Sequence, residues 1–347
     1  MNILVIGGTS GFIGTQVVRR LAAAGHHVTV FHRGQTNADL PHGVRQIFGD
    51  RQNLPDFAEE FKRLAPRVVV DMYLRFGREA VAVMRAFRGI AERMVAASSQ
   101  DVYRTYGILW GVEDTAPNVT PIAEDAPLRS VLYPYRKVAE GADDPKYDYD
   151  KIPVEQAVMG DPELPGTILR LPATYGPGDK QHRLFEYLKR MDDGRPFILL
   201  GEGEARWRWT HGYVGNVAEA IASAATDERA ARRIYNVGEE GAPTRAEWVR
   251  GIGRAAGWEG EVVAVPEDLL PEHLKSPTGY GHDLVVDTGR IRRELGYEER
   301  VSREEALLRT VRWERENPPA EVDPKQFDYA AEDAALEAYE GDQKRSL

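Results

Sequence analysis

Short apolar runs punctuate the first hundred residues of this chain, and segments with helical spacing of apolar positions separate them. Ile3 to Ile6 is an uninterrupted apolar run of the length a buried strand needs. Gln16 to Ala24 carries apolar residues at 17, 18, 21 and 22, which predicts an amphipathic helix ended by Gly25. Strands are expected at His27 to Phe31, Val44 to Phe48, Val68 to Val70 and Met94 to Ala97, with helices at Pro55 to Leu64 and Arg78 to Phe87. Strand–helix alternation with a turn at nearly every junction predicts an α/β doubly wound parallel sheet with right-handed crossovers. Ligands of such sheets bind beyond the carboxyl ends of the strands, where the turn after Ile6, His32, Asp50, Asp71 and Ser99 all fall.

The pattern lapses from Gly107 to Lys146, which holds prolines at 117, 121, 127, 134 and 145. A loop of that length implies a lid over the mouth of the sheet or an interaction surface. Periodicity resumes near Tyr149 with a helix, followed by a strand at Thr167 to Leu171 and a turn at Tyr175 to Gly178. Helices are expected at Leu184 to Met191, Val214 to Ala225, Arg245 to Ala256, Arg290 to Leu295 and Ser302 to Glu316, and short strands at Phe197 to Leu200 and Ile234 to Val237. The expected division is a dinucleotide-binding domain over 1–177, to which 205–238 returns, and a smaller substrate-binding lobe over 178–330. A charged tail at 331–347 remains, as a helix or a frayed end.

Composition narrows the function. The chain has 347 residues, a formal net charge of −10 and no cysteine. Disulfides, thiolate metal sites and cysteine nucleophiles are excluded, and the acidic balance opposes general nucleic-acid binding. No apolar run approaches the ~20 residues that span a bilayer, and the short first run lacks the basic flank of a secretion signal, which fits a cytoplasmic protein. The histidines form no HxxxH or HxH pair and no GxSxG elbow is present, so neither a metal site nor a serine hydrolase is expected.

The first apolar run leads into GGTSGFIG at 7–14. Gly8, Gly11 and Gly14 at three-residue spacing, between a strand and a helix, make an anion site for a pyrophosphate, with Ser10, Phe12 and Ile13 lining it. The second strand ends in His32 and Arg33 instead of the acid that binds a ribose diol. A guanidinium there suits a 2′-phosphate, so NADP is expected ahead of NAD. The segment YDYDK at 147–151 places Tyr147 and Lys151 four apart, on one face of a helix. An ammonium beside a phenol lowers its pKa toward the working range, making Tyr147 a candidate acid/base, with Ser99 at a strand end to hold the substrate oxygen. A second pair, Tyr133 and Lys137, lies in the proline-rich stretch with Pro134 inside it.

Together GGTSGFIG, GD at 49–50, SSQDVY at 98–103, YDYDKIPVE at 147–155, LRLPATYGPG at 169–178 and VDTGRIRRELGY at 286–297 resemble an extended short-chain dehydrogenase/reductase of the NAD-dependent epimerase/dehydratase group. The resemblance spans residue 2 to about 316 and implies a Rossmann-type fold, an enzyme acting on a sugar or polyol, and a homodimer. It carries Ser–Tyr–Lys roles to Ser99, Tyr147 and Lys151, with Lys151 also holding the nicotinamide ribose. It carries an adenine contact to Asp50, and further cofactor contacts to Arg51, Met72 and Pro172. Three departures stand out. The gap between Ser99 and Tyr147 is long. Pro153 requires the helix to kink or begin late. Arg206, Arg208 and His211, interleaved with Trp207 and Trp209, replace the usual strand segment and are candidate substrate contacts for an anionic or planar group. Two alternatives share the same look: a non-catalytic NADP-binding regulator, and an RNA-binding relative resembling the chloroplast stem-loop-binding proteins.

Overall fold

A computed structural model describes residues 1–9, 11–35, 39–276 and 279–346. Seven parallel strands form the central sheet. They are β1 (Asn2–Ile6), β2 (His27–His32), β3 (Arg45–Phe48), β4 (Val68–Asp71), β5 (Arg93–Ser99), β6 (Gly166–Leu171) and β10 (Ile234–Asn236), and they lie in the order β10-β6-β5-β4-β1-β2-β3. Two small sheets pair β7 (Ala173–Tyr175) with β9 (His211–Tyr213), and β8 (Phe197–Gly201) with β11 (Glu261–Val265).

Side-chain alternation explains why the sheet is covered on both faces. Ile3 and Val5 of β1 point into one core, with Val17, Val18 and Leu21 of α1 (Ile13–Ala23) and Val217, Ile221 and Ala224 of α8 (Val214–Thr226). Leu4 and Ile6 point into the other, with Phe61 of α2 (Ala58–Leu64), Val83 and Phe87 of α3 (Gly77–Phe87) and Val154 and Val158 of α5 (Lys151–Met159). A strand buried on both faces must be apolar throughout, which is the run read from the sequence. A third core joins α6 (Phe185–Asp192), α9 (Arg245–Ala256) and α11 (Arg303–Glu316) over the two small sheets. The remaining helices are α4 (Arg104–Leu109), α7 (Glu202–Arg206), α10 (Gly289–Leu295) and α12 (Tyr329–Ser346).

The charged C-terminal end is helical and docked. Ala335, Leu336 and Tyr339 of α12 pack on Phe197, Leu199, Val265 and Leu270. Glu332, fully buried, takes Arg190 at 2.8 Å, and His273 also reaches it. The irregular stretch 110–150 is pinned from within. Asn118 accepts from the backbone N–H of Thr105 and donates to the carbonyl of Pro127, and Ile122 bridges to Val286. Arg129, wholly buried, donates to the carbonyls of Asp101 and Val131 and to Asp150 Oδ1 at 3.0 Å.

One sequence expectation needs correction. The helix expected to contain Tyr147 starts at Lys151, with Asp150 as its N-cap accepting from Ile152 N–H at 2.9 Å. Pro153 thus falls in the first turn, where no intrahelical N–H is lost, and the helix begins late instead of kinking. Its ring packs on Gly77, where even a β-carbon would lie 2.7 Å from Pro153 Cβ.

Candidate active site

The glycine turn is built for close approach. Gly7 and Gly11 have φ of 76° and 92°, which side-chain-bearing residues rarely adopt. A β-carbon on Gly14 would lie 2.9 Å from Gly8 Cα, so α1 starts against the turn, and the same atom on Gly11 would meet nothing. Space is open beside Gly11 at the α1 N-terminus, next to Phe12 and Ile13, while the Gly11 N–H donates to Thr15 Oγ1 at 3.2 Å. Ser10 lies outside the described residues. Pro172 follows β6, and Gly178 beyond it approaches the carbonyl of Gly11 so closely that a β-carbon there would lie 2.5 Å away.

Beside the turn lies a cavity of about 260 Å³ lined by the ends of β1, β2, β3 and β4. His32 is buried and bonded on both ring nitrogens, to Gln46 and to the N–H of Gly34, so neither nitrogen is free for a ribose. Arg33 is exposed. Asp50 accepts from Gln52 N–H. Arg51 is fixed by the buried Asp71 at 2.5 Å and by the carbonyl of Tyr73. Burial pushes the Asp71 carboxyl up, and Arg51 opposes this. The Nε atoms of Arg51 and Arg75 are buried without a hydrogen-bond partner. Met72 continues β4, its N–H donating to Ile6 O.

The next strand ends gather a cluster of titratable side chains. Ser99 closes β5 and accepts from Asp101 N–H. Lys151, buried at the start of α5, donates from Nζ to the carbonyls of Leu74 at 2.5 Å and Ala97 at 3.1 Å. Burial lowers its pKa, while Asp101, Asp71, Glu79 and Glu155 favour its charge. The phenol that meets Ser99 belongs to Tyr149, which also interacts with the Asp101 carboxylate. Tyr149 is held well above the ordinary phenol value by burial first and Asp101 second, and burial raises the Asp101 carboxyl too. Tyr135, from the irregular stretch, donates to Asp101 Oδ2 at 3.2 Å, pairs with Tyr106 at 2.8 Å and packs edge-on against Tyr149.

Tyr147 is elsewhere. Its ring lies under the Arg136 guanidinium at 4.8 Å, and no hydrogen bond links it to Ser99 or Lys151 among the described residues. Tyr133 is also unavailable as a helical partner of Lys137, since its φ is 57° and only Arg136–Val138 forms a helical turn there. The candidate substrate contacts stand apart from this cluster, with no hydrogen bond or ion pair to it among the described residues. Arg206 is exposed beside Glu202. Arg208 donates to the carbonyl of Ala242, and His211 is buried and stacked on Trp248 with ring centroids 4.0 Å apart. Burial, then Arg245, keeps His211 neutral. Tyr149, Asp101 and Arg75 escaped the sequence reading. The available signals were an Asp directly before Lys151, a helix-capping residue type, and a proline two positions after it.

Among the described residues no group of three or more His, Cys, Asp or Glu could hold a metal ion, and no helix is long and apolar enough to cross a membrane. Comparison with known proteins agrees with the architecture. The chain is 28% identical over 312 residues to a 2′-dehydrokanamycin reductase of Streptomyces kanamyceticus, covering 86% of this chain and 81% of that one. It is 25% identical to a dTDP-glucose 4,6-dehydratase of Neisseria gonorrhoeae, over 91% of this chain and 96% of that one. A UDP-glucose 4-epimerase of Thermus thermophilus, solved in complex with NAD, superimposes with a TM-score of 0.64 at 23% identity, over 91% of this chain and all of the other. The model of the NAD dependent epimerase/dehydratase family matches residues 3–238, and the chain belongs to that family.

Proposed function

We propose that this protein is an NADP(H)-dependent reductase of a carbonyl on a sugar- or polyol-type molecule, with Tyr149 instead of Tyr147 as proton donor. The observation that carries this reading is the Tyr149 ring, 5.8 Å from the Lys151 ammonium and edge-on to Tyr135, with its phenol interacting with Ser99 and Asp101. A protonated phenol can give its proton to a carbonyl oxygen as that oxygen gains charge, once positive charge beside it, such as the Lys151 ammonium, offsets the rise imposed by burial and Asp101. Ser99 orients that oxygen. Asp101, with its own affinity for protons raised, stands behind Tyr149 to restore the proton. Lys151 contributes positive charge at the end of β5. A relative that is a reductase of an oxidised aminoglycoside supports both the direction and the kind of substrate.

The residues present fit a phosphorylated dinucleotide. The open glycine turn suits its pyrophosphate, Asp50 its adenine, and the unfilled guanidinium donors of the cavity suit an anion, while His32 withholds the carboxylate that favours NAD. When bound, the nicotinamide supplies the hydride that the residues themselves cannot.

The test compares Tyr149→Phe with Tyr147→Phe, following consumption of reduced cofactor on a panel of keto-sugars and measuring cofactor affinity by calorimetry. Tyr149→Phe is expected to lose ~10²–10⁴ in turnover with affinity intact, and Tyr147→Phe to stay within a few-fold of wild type. The reverse ranking refutes the assignment.

A further inference from the structure

We infer that Arg75 is a cofactor-specificity residue, supplying together with Arg33 the charge that receives a ribose 2′-phosphate. The inference rests on the dinucleotide reading above and names a residue that the strand-end rule does not single out. That rule looks only at the end of β2, where Arg33 stands. Arg75 comes from the loop after β4. In the sheet β4 and β2 flank β1, so the two arginines rise on either side of the strand that ends in the glycine turn, and both line the same 260 Å³ cavity.

The charged groups around that cavity differ in their partners. Asp50 accepts from the N–H of Gln52. Glu79 accepts from the N–H groups of Arg75 and Phe76 at the start of α3, and its charge lies 3.9 Å from Arg51. Asp71 behind the wall is matched by Arg51. Arg33 and Arg75 form no ion pair among the described residues, and Arg75 Nε is buried without a partner. The Arg75 guanidinium is nonetheless held, 4.9 Å over the Tyr73 ring and 5.3 Å over that of Phe76. A cation stacked in place, with donors unused and no carboxylate to satisfy it, is pre-organised for an incoming anion. Arg51 differs: its charge is already matched, and its place next to Asp50 assigns it to the base end of the nucleotide.

The test is calorimetric titration of cofactor-free protein with 2′,5′-ADP and with 5′-AMP, which differ by one phosphate. Wild type is expected to bind 2′,5′-ADP the more tightly. Arg75→Met is expected to weaken 2′,5′-ADP ~10- to 100-fold, the worth of one charge-assisted contact, and to leave 5′-AMP unchanged. Arg75→Lys recovers part of the loss, since it keeps the charge without the fork. Equal losses for the two nucleotides mean a structural role for Arg75 and overturn the inference, as does no loss at all. If wild type binds 5′-AMP and NAD as well as it binds 2′,5′-ADP and NADP, phosphate selection fails while dinucleotide binding stands. If it binds none of them, both fail together.

Discussion

Removing the Asp150 carboxylate should cost far more than removing a helix cap. Its Oδ1 accepts from Ile152 N–H and from Arg129 Nη2, and its Oδ2 from Tyr133 N–H at 2.7 Å, with both charged side chains entirely shielded from solvent. The cap alone contributes about 1 kcal/mol. Stranding the buried Arg129 guanidinium costs roughly 3–5 kcal/mol, so Asp150→Ala should lose roughly 4–6 kcal/mol in urea unfolding. Asp150→Asn keeps an acceptor for the cap but turns an amide toward Tyr133 N–H, and should fall between Asp150→Ala and wild type. Because Arg129 also holds the carbonyls of Asp101 and Val131, the pair Arg129→Met and Asp150→Asn should be strongly non-additive, the double variant recovering part of each single loss. A loss near 1 kcal/mol for Asp150→Ala, or strict additivity in the cycle, would show that the buried pair contributes no more than a surface one.

The other expectations concern two carboxyl groups, those of Glu204 and Glu332. Burial raises the Glu204 carboxyl to about 7, against the pull of Arg245. A carboxyl whose folded pKa is raised loses stability as pH rises from its unfolded value, near 4.5, through about 7. Glu204→Gln should therefore unfold at higher denaturant than wild type at pH 8, by up to ~3 kcal/mol, and equal it near pH 4; no pH dependence of the difference would refute the buried-carboxyl account. Glu332→Ala strands the buried Arg190 guanidinium, so a loss of about 3–5 kcal/mol is expected. Limited proteolysis of that variant should release α12 first, and unchanged protection of α12 would count against its docking through this pair.

The elements legible in advance were those whose own side chains carry a face. The β1 run, the α1 stripe and the spacing of α3, α8 and α11 each state their burial without reference to a partner. The elements left out depend on distant partners. β7 and β9 are three residues each and exist through one another, and β11 is defined by pairing with Phe197–Gly201 although α7, α8 and α9 lie between them in the chain. The site was legible to the same extent. The glycine turn, Ser99 and Lys151 end regular elements and fall where the sheet demands. The tyrosine did not follow, because four-residue spacing joins two side chains only if the helix includes both, and Asp150 starts it one residue before Lys151. Asp101 and Arg75 belong to loops whose direction no periodicity encodes, and the irregular stretch reaches Asp101 through Tyr135.

The tripeptide Tyr73–Leu74–Arg75 offers three consecutive carbonyls to three different places: to Arg51, to the Lys151 ammonium and to the N–H of Asp150. The cavity beside the glycine turn and the Lys151 cluster therefore share a single length of main chain as their common wall. An occupant that stiffens this stretch from one side also restrains the lysine on the other, with no relay through the rest of the molecule. On the proposed function, dinucleotide before carbonyl substrate is the expected binding order, which initial-rate kinetics reads.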